Sequence, residues 1–139
     1  MIGEKIGEYT GKITSMRVLP ANAGGQMKVE CSVTETGKLL GIDITDIATY
    51  WSINRPDNSS YGEGQGIITT KDGDHVAWTG TGLGKPTGHG MGMAWRASCY
   101  YQTTCAKLSR LNGIVGLVQF ESDENGNTKS ATWEWKDLK

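Results

Sequence analysis

Trp95, Ala97, Cys99 and Tyr101 alternate with Arg96, Ser98, Tyr100 and Gln102, so an extended chain here presents one apolar and one polar face. Short alternating runs of the same kind recur at 5–19, 26–34, 38–45, 47–54, 61–70, 75–82, 92–104, 113–122 and 129–136. Few windows could hold a helical period of 3.6, and the pattern predicts an all-β chain of eight or nine strands. Turn chemistry separates the runs at Asn22 to Gly25, Arg55-Pro56-Asp57, Lys71-Asp72-Gly73-Asp74 and Asn125-Gly126, which makes sequential neighbours antiparallel. Only Cys105 to Gly113 departs from this, with Ala106, Leu108 and Leu111 spaced for one short helical turn ending near Gly113. No linker or long repeat divides the chain, so residues 1–139 read as one domain. A closed eight-stranded antiparallel β-barrel is the economical solution, because closure leaves no unpaired edge.

Within this pattern one segment is unusual. YGEGQGIITTKDGDHVAWTGTGLG, residues 61–84, places glycine at alternate positions at Gly62, Gly64, Gly66 and again at Gly80, Gly82, Gly84. Neither the phosphate-loop spacing GxxxxGK[ST] nor the dinucleotide spacing GxGxxG occurs. Period two means instead that each triplet strips one strand face to bare backbone. Pairing Lys71 with His75 would set Gly64 opposite Gly82 and gather Ile68, Val76 and Trp78 on the glycine face, leaving Glu63, Gln65, Thr79 and Thr81 on the other. Such a bare face serves a tight bend, the close packing of large rings, or the floor of a cavity.

Composition narrows the partners. Fourteen Lys and Arg stand against 15 Asp and Glu, a net charge of -1, which offers no broad attraction for nucleic acid or an acidic membrane. The three cysteines, Cys31, Cys99 and Cys105, include no CxxC pair and accompany only two histidines, so they read as reduced structural thiols rather than a zinc site. His75 beside Asp72 and Asp74 reads as a solvated turn, and residues 122–128 as a hairpin rather than a calcium loop. No cofactor and no metal are expected. The N-terminal stretch lacks a leader pattern and no run of 18 apolar residues occurs, which makes a cytoplasmic location the expectation.

The glycine hairpin at 61–84, the strand GMAWRASCYYQTT and the segment KLSRLNGIVGLVQFESDENGN together resemble the small barrels of the allene oxide cyclase-like superfamily, which includes dirigent proteins and spirotetronate cyclases. The resemblance covers residues 59–136 and is most specific at the turn before Asn112-Gly113-Ile114-Val115-Gly116. It implies an eight-stranded barrel, often a homo-oligomer, whose interior in several members holds an apolar substrate and steers its cyclisation or coupling. No family catalytic residue maps onto a position of this chain.

Two functions follow as expectations. One is an interior pocket for a small, largely apolar molecule, with the chemistry of a cofactor-independent cyclase or isomerase using a carboxyl acid/base. In that reading Glu63, on the hairpin where bulk is absent, is the candidate acid, and Tyr50, Tyr61, Trp78, Arg96 and Tyr101 are candidate ligand contacts. Alternation puts Arg96 and Tyr101 on opposite faces, so at most one of these two lines the pocket. The other function is a non-catalytic binding or assembly module whose core is filled by its own aromatic rings.

Overall fold

The computed structural model describes residues 3–136. Eight strands, β1 (Lys5–Leu19), β2 (Lys28–Leu39), β3 (Ile42–Asn54), β4 (Ser60–Thr70), β5 (His75–Pro86), β6 (Met93–Thr103), β7 (Gly116–Ser122) and β8 (Asn127–Glu134), follow one another around a closed barrel in chain order. Every neighbouring pair is antiparallel, including the closing pair of β1 with β8. None of the described helical segments is long and apolar enough to cross a membrane.

Two expectations about strand boundaries and register are corrected. The runs at 26–34, 38–45 and 47–54 form two strands rather than three, because the turn falls at Leu40-Gly41, both with positive φ (50° and 77°). A leucine in the left-handed region gives no turn signal in sequence, yet the pair makes the tight two-residue hairpin that a right-twisted ribbon favours. In the β4–β5 hairpin Gly64 faces Gly80, Gly62 faces Gly82 and Gly66 faces Trp78. The expected partner of Gly64 was Gly82, so the register moves by two residues while the shared glycine face is kept. The loop is Lys71-Asp72-Gly73, closed by Thr70 N–H to Asp74 O at 3.0 Å and Gly73 N–H to Thr70 O at 3.1 Å. This places Gly73, φ 85°, in the left-handed third position of the loop, which the other register would have given to Asp74.

The inward positions of β2 to β6 at one end of the barrel, Leu39, Ile44, Ile68, Val76 and Tyr101, form the densest core. That end is closed by the connection between β6 and β7, a 3-10 helix over Ala106–Gly113 whose Leu108 and Leu111 are fully buried. The helical turn expected from the sequence is therefore present and acts as a stopper. β7 pairs with β6 only as far as Cys99, and beyond it the side chain of Asn112 continues the ladder. Thr103 N–H donates to Asn112 Oδ1 at 2.8 Å, and Asn112 Nδ2 donates to Thr103 O at 3.0 Å, the two bonds a partner strand would have made.

Candidate functional site

Above the stopper the barrel interior holds an open-mouthed cavity of about 120 Å³. Its floor and one wall are the glycine face, where Gly62, Gly64, Gly80 and Gly82 leave the backbone bare. The same glycines admit rings: a Cβ on Gly84 would sit 2.6 Å from the Trp95 indole, and one on Gly66 2.3 Å from Trp78 Nε1. The bare face thus both packs rings and leaves space, two of the uses open to strand glycines. Tyr50 meets Trp95 and Phe120 edge-to-face, each at 5.9 Å between centroids, so three rings form one continuous apolar wall.

The buried polar groups of the lining include two carboxyls that the sequence did not single out. Glu35 on β2 and Asp46 on β3 are direct cross-strand partners, and both face inward and are buried. Each reaches its hydrogen-bond donors across a strand made bare by glycine. The Glu35 carboxylate spans β1 at Gly11, its partner in the ladder, to accept from Ser130 Oγ at 2.6 Å and Thr128 Oγ1 at 2.9 Å on β8. Asp46 spans β4 at Gly66 and accepts from Trp78 Nε1 on β5, at 3.0 Å to one oxygen and 3.2 Å to the other. Burial raises the pKa of both: Asp46 is pushed up to about 6, with the Trp78 bond opposing and the Glu35 charge reinforcing the shift. Glu35 is raised from the ordinary carboxyl value by burial, partly offset by its Ser130 and Thr128 bonds.

Of the residues singled out in sequence, Tyr50, Glu63, Trp78 and Tyr101 are among those lining the cavity, although the Glu63 side chain is exposed. Tyr61 and Arg96 are not among the lining residues and have side chains on the outer wall, and the Glu63 side chain turns the same way although the residue borders the cavity. Glu63 is exposed and accepts from the Tyr61 hydroxyl at 2.6 Å, Tyr61 packs edge-on against Trp51, and Arg96 donates to the Trp95 carbonyl at 3.0 Å. The reason is the two-residue period: Glu63 stands between Gly62 and Gly64, and if the glycines face in, it faces out. Of the pair Arg96 and Tyr101, Tyr101 is the inward one. Cys99 also lines the cavity, and burial pushes its thiol up to about 12, so it is an inert apolar surface at neutral pH. Cys31, Cys99 and Cys105 are all free thiols. Two buried polar atoms of lining residues have no partner among the described residues, the Tyr9 hydroxyl and Trp95 Nε1.

Signals for the two carboxyls did exist. Alternation places Glu35 in phase with Cys31 and Val33, and Asp46 in phase with Ile44, so each is an acid on an otherwise apolar face.

No protein-family model matches the chain, and no curated protein matches it. Solved structures are similar. A conserved protein of unknown function from Rhodopseudomonas palustris matches with a TM-score of 0.79 at 13% identity, covering 94% of this chain and 95% of that one. A protein of unknown function from Clostridium acetobutylicum matches with a TM-score of 0.78 at 11% identity, covering 98% and 100%. A beta-barrel like protein from Acinetobacter baumannii matches with a TM-score of 0.81 at 10% identity, covering 96% and 95%. At such identities the likeness is one of fold, and what these comparisons establish for the chain is a β-barrel shared over nearly its full length with proteins of unknown function.

Proposed function

We propose that the barrel is a binding site for a small, largely apolar molecule of about one ring, and that Asp46 with Glu35 supplies the carboxyl acid/base for a cofactor-independent isomerisation or cyclisation. The observation that carries this reading is the 120 Å³ cavity with two buried, inward carboxyls in a largely apolar wall. An apolar cavity of about 150 Å³ is known to accept benzene, so the size suits one ring. Asp46, with its pKa near 6, can both give and take a proton close to neutrality. Membership of the allene oxide cyclase-like superfamily belongs to the same proposal, supported by the hairpin and turn residues together with the barrel topology. So does a homo-oligomer, for which the exposed outer-wall pair Ile47 and Ile67, partners across β3 and β4, offers an apolar surface.

The test is direct, because Trp78 and Trp95 both line the cavity and report on it by fluorescence. Titration with benzyl alcohol is expected to give saturable binding of one molecule per chain. Ala48 also lines the cavity, and Ala48→Leu fills it with three further carbons. That variant is expected to lose the binding while keeping its thermal unfolding transition, and Glu63→Gln to bind within twofold of the unchanged protein. Absence of saturable binding would remove the pocket, and binding untouched by Ala48→Leu would place the ligand outside the barrel.

A further inference from the structure

We infer that the molecule this cavity takes is a small organic cation, a protonated amine carrying a flat ring, with its ammonium group at the Glu35 and Asp46 carboxyls and its ring against Tyr50, Trp95 and Phe120. The inference rests on the proposed pocket and names the chemical class of its ligand.

Charge is the first argument. The cavity lining includes the buried Glu35 and Asp46 and the outward-turned Glu63, and contains no lysine, arginine or histidine. Several surface acids elsewhere in the barrel have basic partners, as in Glu30 with Arg17, Asp43 with Lys38 and Glu121 with Lys129. Among the described residues the two buried carboxyls have no ion-pair partner, although they stand directly opposite each other on adjacent strands. Like charges in that position repel, and buried charges are ordinarily paired. A cation supplied by the ligand would complete the arrangement, whereas an anionic ligand would add a further negative charge to the same space.

The hydrogen bonds show which form of the carboxyls the walls are built for. An indole N–H can only donate, and Trp78 Nε1 lies within reach of both oxygens of Asp46. Both oxygens of Glu35 are met by hydroxyl groups, those of Thr128 and Ser130. Donors directed at every carboxyl oxygen oppose the upward shift that burial imposes, and lone pairs remain on each for an ammonium group.

Unpartnered atoms in the wall give an independent argument. Tyr9 and Trp95 are each 6% exposed, both line the cavity, and neither the Tyr9 hydroxyl nor Trp95 Nε1 has a partner. A buried polar group left unsatisfied costs stability, and a ligand that reached either atom would relieve that cost. The Tyr9 oxygen can accept from an ammonium, and Trp95 Nε1 can donate to an oxygen substituent on the ring. The electron-rich faces of Tyr50 and Trp95 add the attraction of aromatic rings for a cation.

Three probes of one size separate the possibilities: benzylamine, benzyl alcohol and benzoate, titrated at pH 7 by calorimetry into the full chain. Benzylamine is expected to bind at least tenfold more tightly than benzyl alcohol, and benzoate not at all. Asp46→Asn, which keeps an oxygen for Trp78, is expected to weaken benzylamine at least tenfold and to lower the ratio of benzylamine to benzyl alcohol affinity. Glu35→Gln is expected to act in the same direction and serves if the first variant folds poorly, which the cooperative melting transition of each variant reports. Benzyl alcohol binding as tightly as benzylamine, or a ratio between them unchanged in both variants, would overturn the cation while leaving the pocket standing. If none of the three probes binds, the pocket itself is wrong and this inference falls with it.

Discussion

Gly11→Ala is expected to leave little folded protein, and Gly37→Ala the same. Built on the backbone, a Cβ on Gly11 would lie 1.9 Å from the carbonyl oxygen of Thr34 and 2.7 Å from Cα of Glu35. A Cβ on Gly37 would lie 1.9 Å from the carbonyl oxygen of Glu8 and 2.7 Å from Cα of Tyr9. These two glycines sit on the β1–β2 ladder opposite Glu35 and Tyr9, and their missing side chains let the two strands close tightly around the barrel. The obstruction is main chain, so no rotamer change relieves it and the strands themselves must part. Extra methylenes that side chains can accommodate cost about 1–3 kcal/mol, and displacing a ladder should cost ~3 kcal/mol or more. That is a large share of the roughly 5–15 kcal/mol by which domains are stable. At Gly11 there is a second loss, because the Glu35 side chain passes over that position to Thr128 and Ser130. Soluble yield and thermal melting followed by circular dichroism measure the effect. A melting temperature within a few degrees of the unchanged protein would show that the strands are not held this close.

The second large effect is a stability that rises as pH falls from neutral. Asp46 has a pKa of about 6 in the folded chain against an ordinary 3.8, so between these values the folded state holds more protons than the unfolded one. The stability linked to this group is fully present below 3.8 and is lost as pH rises through about 6. At ~1.4 kcal/mol per pH unit the difference corresponds to about 3 kcal/mol, and Glu35, raised by the same burial, acts in the same sense. Glu4, Asp43, Asp57, Asp123 and Glu134 have lowered values and lose their small, solvent-screened contributions as pH falls through the acid range. The balance puts maximal stability near pH ~5 rather than at neutrality. Urea unfolding between pH 4.5 and 7.5 should show stability decreasing with pH, and Asp46→Asn should flatten the slope. A stability that is level or rises with pH in the unchanged protein would mean that Asp46 is hydrated rather than buried.

What the sequence disclosed follows from what alternation can and cannot encode. Period-two patterning and turn residues are local, and they were enough for eight antiparallel strands, a closed barrel and the shared glycine face. Register depends on which residue takes the left-handed position of a loop, and in Lys71-Asp72-Gly73-Asp74 two loops of equal length differ only in whether Gly73 or Asp74 takes it. Leu40 was illegible as a turn because its positive φ is a consequence of the ladder on either side, not of its own chemistry. The site was half legible. Alternation identified Trp78, Tyr50 and Tyr101 as ring-bearing positions, but the search for an acid favoured the glycine-rich hairpin over its inward face, and so chose Glu63. Glu35 and Asp46 lie 11 residues apart in sequence and become neighbours only through the β2–β3 register, while their donors come from β5 and β8.

The central claim is that the barrel interior holds a molecule rather than only its own side chains. A crystal of the protein soaked in benzyl alcohol tests it most directly, by the electron density between the ring wall of Tyr50, Trp95 and Phe120 and the carboxyls of Glu35 and Asp46. The account predicts one ordered ring in that space, with Tyr50 and Trp95 in their places. An interior filled by its own aromatic side chains, with no ring density, would contradict it and favour the non-catalytic module with a packed core.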